Sequence, residues 1–72
     1  MSMNYFRSLL RGLVAAITDY DFYAVMRSID QSHGDGLIDD VRYNTLLDAA
    51  AFYDPIWYEF YAQHIARETK GV

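Results

Sequence analysis

The chain has 72 residues, of which 53% are hydrophobic and 17% aromatic, with no cysteine and a formal net charge of −4. This length holds one domain at most, and the missing cysteine excludes a disulfide framework, a thiol nucleophile and a thiolate metal site. The composition is too apolar for intrinsic disorder and too acidic for a typical nucleic-acid-binding domain.

The N-terminal part of the chain predicts helices over residues 3–17 and 19–30. Its first apolar seam has the three- and four-residue spacing of a helix and consists of Phe6, Leu10, Leu13, Ile17, Tyr20 and Ala24. The apolar pattern changes phase after Tyr20, so it fits two helices and also one long bent helix. Thr18 lies three residues before Asp21, the spacing of a capping box, which favours a helix start there.

The central part of the chain predicts a helix-loop-helix. Residues 31–38 are the predicted loop, because Gln31–Gly36 contains two glycines and small polar residues that interrupt a helix. The next helix is expected over residues 39–53, with Asp39 or Asp40 as its N-cap.

The last helix is predicted over residues 55–69. Asp54 is a favourable N-cap, Pro55 is favoured at the first helical position, and Arg67 and Lys70 suit the negative end of the helix dipole. No segment has the alternating pattern of a strand. The predicted fold is therefore all-α, a small bundle of three or four short helices with a central helix-loop-helix.

Charge is unevenly distributed along the chain. Residues 1–17 carry Arg7 and Arg11 and no acid, whereas residues 18–59 carry nine acids against two arginines. The two N-terminal arginines lie one turn apart and can contact phosphates, so a small DNA-binding regulator is one alternative function. The apolar run after Arg11 ends at Ile17, too short for a secretory signal or a membrane span, so we expect a cytoplasmic protein without membrane contact.

The predicted central loop contains carboxylates that can ligate a cation. Asp35–Asp39 supplies a carboxylate, a turn glycine, an apolar anchor and a second carboxylate, and in this it resembles the centre of an EF-hand loop. Gln31 and His33 fall where the first two ligands belong, and Arg42 stands in place of the bidentate glutamate. The resemblance implies a degenerate calcium- or metal-binding module as a second alternative. The carboxylates that it would use are Asp30, Asp35 and Asp39.

The motifs of common enzyme classes are missing from the sequence. None of the serines lies in a Gly-x-Ser-x-Gly elbow, and there is neither a P-loop nor a dinucleotide-binding fingerprint. The adjacent carboxylates of Asp39 and Asp40 lie at a predicted helix start, where capping explains them. We therefore predict a protein without enzymatic activity, cofactor or metal site.

Aromatic residues are concentrated in Phe52–Tyr61. The rings there make the last helix apolar nearly all round, so more than one of its faces should be covered. Because a hydroxyl tolerates water, the side chains expected to point outward are Tyr43, Tyr53, Tyr58 and Tyr61. Tyrosine and tryptophan are enriched at binding hot spots. The predicted partner-binding residues are Tyr43, Tyr53, Trp57, Tyr58, Tyr61, Asp39 and Asp40.

These features predict a small protein-interaction module, an adaptor or an inhibitor. Its acidic, tyrosine-rich surface between Asp39 and Tyr61 would favour a basic or mixed apolar partner. A single core of this size contributes only about 3–5 kcal/mol, and it cannot bury seven tyrosines, four phenylalanines and a tryptophan. A homodimer or a constitutive complex with another protein is therefore expected.

Overall fold

The protein is an all-α bundle of four helices, in a computed structural model that describes the backbone of residues 3–70 and the side chains of residues 5–65. The helices are α1 (Met3–Ala15), α2 (Asp19–Gly34), α3 (Asp40–Tyr53) and α4 (Pro55–Lys70). No described residue lies in a strand. Within the described residues, every helix is too short or too polar to cross a bilayer. The predicted dipole contacts of the Arg67 and Lys70 side chains lie outside the described residues.

The N-terminal part of the chain forms two helices, so the alternative of one bent helix is wrong. The break falls at residues 16–18, where Thr18 has an extended backbone and its Oγ1 accepts a hydrogen bond from Asp21 N–H at 3.1 Å. The predicted cap at Thr18 is thereby confirmed. The break also lets α2 turn a new face to the core, so the seam predicted through Ile17 and Tyr20 ends early and both side chains are exposed.

Helix α2 continues to Gly34 and does not end at residue 30 as predicted, so the loop covers residues 35–39. Ser32 is buried and its hydroxyl donates to Ser28 O at 2.6 Å, which leaves the helical backbone bonds intact through this polar stretch. The backbone turns out of the helix at Gly36, just beyond the C-cap Asp35, with a φ of +78° that suits glycine. Gly36 N–H donates to His33 O, and Leu37 N–H donates to Ser32 O, the pattern of a Schellman motif.

Two aspartates mark the starts of the last two helices. Asp39 caps α3, because its carboxylate accepts Arg42 N–H at 2.8 Å and the Arg42 guanidinium at 3.0 Å. Asp54 alone separates α3 from α4: its N–H donates to Ala50 O, and its carbonyl accepts Tyr58 N–H. Asp54 Oδ2 is buried and has no hydrogen-bond partner among the described residues.

Buried side chains from all four helices and the central loop form the core. They are Leu13, Phe22, Met26, Ile29, Ile38, Leu46, Ala50 and Tyr61. Close approach of α1 and α2 depends on Gly12, where an added Cβ would lie 3.1 Å from Val25 Cγ2.

Contacts along the helices show how they run. The Ser32 hydroxyl lies 2.8 Å from that of Tyr5, so α1 and α2 are antiparallel. The side chains of His33 and Asp40 lie 2.6 Å apart, so α3 turns back along α2. The link between α1 and α2 and the link between α3 and α4 therefore meet at one end of the bundle, which we call the aromatic end.

We predict that Thr18→Ala lowers the free energy of unfolding by about 1 kcal/mol, because it leaves an N-terminal amide of α2 without its cap. Urea unfolding followed by circular dichroism measures the change. Thr18→Ser keeps the hydroxyl and should restore most of the loss. Thr45→Ala is the matched control, since Thr45 is exposed within α3 and its hydroxyl bonds only Val41 O. Equal losses in Thr18→Ala and Thr45→Ala would contradict the capping role.

Candidate functional site: a groove between α2 and α4

The residues predicted to bind a partner do not share one surface. Tyr53 is exposed, whereas Tyr43, Trp57 and Tyr58 are half-buried. Tyr61 was expected to point outward, and this is wrong, because only 6% of its surface is exposed. The expectation treated its hydroxyl as a group for water, but that hydroxyl finds a protein partner within the bundle.

That partner is Asp30, a half-buried carboxylate in the middle of the bundle. Its Oδ1 accepts the Tyr43 hydroxyl at 2.7 Å, and its Oδ2 accepts the Tyr61 hydroxyl. One side chain of α2 therefore joins α3 and α4. The contact accounts for the inward orientation of Tyr61 and the partial burial of Tyr43.

The environment of Asp30 keeps both tyrosines protonated to a higher pH than is usual for a tyrosine. Burial first, and then the hydrogen bond to Asp30, raise the pKa of Tyr43 from 10.0 to about 12. The same two causes raise the pKa of Tyr61. Desolvation penalises a phenolate, and the nearby carboxylate penalises it further, so the hydroxyls remain hydrogen-bond donors.

The acidic residues of the predicted surface also make internal contacts. The His33 ring stacks on Tyr43 with centroids 4.0 Å apart, and its Nε2 lies 2.6 Å from Asp40 Oδ1. Asp39 caps α3 and pairs with Arg42. These contacts lie at the end of the bundle opposite the aromatic end, and they place Tyr43, Asp39 and Asp40 away from Tyr53 and Trp57.

The structure does not gather the carboxylates of the EF-hand-like sequence around a cation. Gln31 and His33 lie in the last turns of α2, Asp30 accepts two tyrosine hydroxyls, and Asp39 caps α3. Among the described residues there is no group of three or more His, Asp or Glu side chains that could hold a metal ion. The EF-hand-like segment Asp35–Asp39 forms the loop between the end of α2 and the start of α3.

The two arginines of the DNA-binding alternative are Arg7 and Arg11. Both are exposed on α1.

A groove lined mainly by aromatic side chains lies between α2 and α4. We call it the α2–α4 groove; its volume is about 420 Å³, and it is lined by Asp19, Tyr20, Phe22, Tyr23, Trp57, Phe60, Tyr61 and His64. Contacts between rings hold its floor: Phe22 and Trp57 have centroids 5.9 Å apart, and Tyr23 contacts Tyr61 at 5.4 Å. At the far end His64 lies edge-on to Tyr23 at 5.8 Å.

Both rims of the groove carry exposed rings. Tyr20 on α2 is 79% exposed and Phe60 on α4 is 65% exposed. Asp19 is the carboxylate of the lining, and among the side chains that the structure describes no lysine or arginine lines the groove. The site is therefore apolar along its length, with a negative charge at the start of α2.

Further apolar side chains surround the groove at the aromatic end. Exposed side chains in the last turn of α3, the first turn of α4 and the α1–α2 link are Phe52, Tyr53, Ile56 and Ile17. The sequence prediction included Trp57 and Tyr53 but missed Asp19, Tyr20 and Phe60. The phase change after Tyr20 was the available signal, because a core face through Phe22 and Met26 leaves Tyr20 outside.

No protein-family model, curated protein or solved structure matches the chain.

We predict that stability falls as pH rises from about 10 to about 12, the interval between the ordinary and the raised pKa of Tyr43. In this interval the unfolded chain releases the tyrosine proton while the folded chain retains it, so rising pH favours unfolding. Urea midpoints measured below and within the interval should show a smaller fall for Tyr43→Phe and Tyr61→Phe than for the unmodified protein. Identical falls in all three proteins would contradict the assignment.

We predict that Asp30→Ala destabilises the fold by about 1–3 kcal/mol, because it leaves the buried Tyr61 hydroxyl without its acceptor. Asp48→Ala is the matched control, since Asp48 is exposed on α3. In a double-mutant cycle, Tyr61→Phe should cost less in the Asp30→Ala background than alone. Additive losses would show that the two side chains are not coupled.

Proposed function

We propose that this chain is a small, non-enzymatic protein-interaction module that acts as an adaptor or inhibitor by docking another protein in the α2–α4 groove. The observation that carries the proposal is the exposed aromatic groove itself. Tyr20 and Phe60 form its rims, and Phe22 and Trp57 pack beneath them. Tryptophan and tyrosine in such positions are the side chains that most often dominate binding energy at interfaces.

The apolar surroundings of the groove support this function. Ile17, Phe52 and Ile56 are exposed at the same end of the bundle. Single apolar side chains are ordinary on a protein surface, but several at one end of a small bundle, together with an aromatic groove, are typical of a site that another protein covers. The size of the chain adds to the argument, because its small core leaves these rings for an intermolecular surface.

The proposed surface differs from the one predicted between Asp39 and Tyr61. It keeps Trp57 and the flanking Tyr53, and Tyr61 remains only as a ring of the lining because its hydroxyl binds Asp30. It gives up Tyr43, whose hydroxyl also binds Asp30, and Tyr58. It adds the first turn of α2, including Tyr20. The acidic residue of this surface is Asp19, whereas the predicted surface contained Asp39 and Asp40 at the start of α3.

A second copy of the chain is the competing occupant of the groove. A two-fold contact would bring identical surfaces together, and therefore the Asp19 carboxylates of both copies toward one interface. Like charges there disfavour self-association, so we propose a different protein as the partner. A cytoplasmic location is part of the proposal, and a cysteine-free sequence suits a reducing compartment.

The test is site-specific photo-crosslinking in the cells that produce the protein. Benzoylphenylalanine in place of Phe60 should give a discrete adduct with another protein, and the same group in place of Val41 should not. Val41 is the matched control because it is an exposed apolar residue, 73% accessible, at the start of α3 and outside the groove.

Loss of the adduct when Tyr20→Ser is added, with the helical circular dichroism unchanged, would tie the partner to both rims. An adduct of twice the chain mass would identify a second copy and contradict the proposal. Equal adducts from positions 60 and 41, or none from position 60, would also contradict it.

A further inference from the structure

We infer that the α2–α4 groove takes an amphipathic helix bearing cationic side chains. Its apolar side chains would lie on Trp57 and between the rims of Tyr20 and Phe60, and a lysine or arginine would lie beside Asp19. This inference rests on the proposed function and specifies the chemistry of the partner.

The shape of the groove suits a helix. Trp57, Phe60, Tyr61 and His64 have the i, i+3, i+4, i+7 spacing of one helical face. At about 1.5 Å per residue this wall extends about 10 Å, or two turns. Tyr20 and Tyr23 on α2 form the opposite wall over about one turn, or about 5 Å. Two neighbouring helices with an apolar channel between them offer the groove in which a third helix packs.

The lining determines the apolar part of the partner. Six of the eight lining residues are Phe, Tyr or Trp. A volume of about 420 Å³ lies within the range of about 300–1,000 Å³ in which apolar ligand groups are bound. Ring faces and edges of this kind bury aliphatic side chains such as leucine, isoleucine and methionine without leaving polar groups unpaired.

The charges determine the polar part of the partner. Asp19 lines the groove, no lysine or arginine among residues 5–65 does, and the whole chain carries a net charge of −4. A cationic helix would be steered toward this surface and oriented by Asp19, whereas an acidic helix would be repelled.

One ring of the groove lining already contacts a cation within the bundle. The guanidinium carbon of Arg27 lies 5.9 Å from the centroid of the Tyr23 ring. Tyr23 also lines the groove, and aromatic rings of this kind attract cations.

The test uses three synthetic peptides without tryptophan. One has leucines at i, i+3, i+4 and i+7 and lysines at the flanking positions; the second has glutamates in place of the lysines; the third is a scrambled form of the first. Trp57 is the single tryptophan of the chain, so its fluorescence reports occupancy of the groove directly. We expect saturable binding of the lysine peptide and at least tenfold weaker binding of the other two.

Two variants test the position of the cation. Asp19→Asn should weaken binding of the lysine peptide about threefold to tenfold, and the loss should shrink at high salt, where the attraction of Asp19 is screened. Asp48→Asn makes the same change on the exposed face of α3 and should alter the affinity less than twofold.

Each contrary outcome overturns a defined part of the inference. Equal affinity for the lysine and glutamate peptides overturns the cationic partner, and equal affinity for the ordered and scrambled peptides overturns the amphipathic helix. Equal effects of Asp19→Asn and Asp48→Asn overturn the role of Asp19. If no peptide binds but position 60 still crosslinks to another protein, the inference is wrong and the proposed function stands; if that crosslink is also missing, both are wrong.

Discussion

The arrangement of the last three helices depends on the carboxylate of Asp30. A half-buried carboxylate is costly unless its oxygens are paired, and both oxygens here accept tyrosine hydroxyls, from Tyr43 and Tyr61. Apolar packing has little directionality, whereas these hydrogen bonds require α3 and α4 to present particular side chains to α2. When Tyr61 faces inward, the helical repeat places Trp57 and His64 on the same side, toward α2. The α2–α4 groove is therefore a geometric consequence of the contact with Asp30.

The same contact explains why a tyrosine is buried and a neighbouring phenylalanine is exposed. On apolarity alone Phe60 would be the better core residue, yet 65% of it is accessible, against 6% of Tyr61. Adjacent helical residues point about 100° apart, so Phe60 and Tyr61 cannot occupy the same position, and the hydroxyl of Tyr61 has an acceptor at the inward one. Phe60 therefore lies on the rim of the groove, where another protein can bury its ring.

The features of the fold that depend on local interactions were predictable from the sequence. The caps at Thr18 and Asp39 were predictable because a capping side chain bonds an amide three residues along the chain. The end of α2 was misplaced because it depends on the positive φ of Gly36, and the polar residues before it remain helical. The orientation of Tyr61 could not be predicted locally, because its partner Asp30 lies 31 residues away. Tyr20 was missed for a related reason, since the groove forms only when α2 and α4 lie side by side.

These contacts give the bundle two chemically different ends. At the end with the central loop, the aspartates are engaged within the protein: Asp39 with Arg42, and Asp40 with His33. At the aromatic end, Asp19 lies among rings, and no lysine or arginine in the described part of the chain lines the groove. An acid that already contacts a group of its own chain is less available to a second protein, whereas an acid beside an apolar channel attracts a cation more strongly when water is displaced. Charge recognition should therefore be concentrated at Asp19, even though most acids of the chain lie elsewhere.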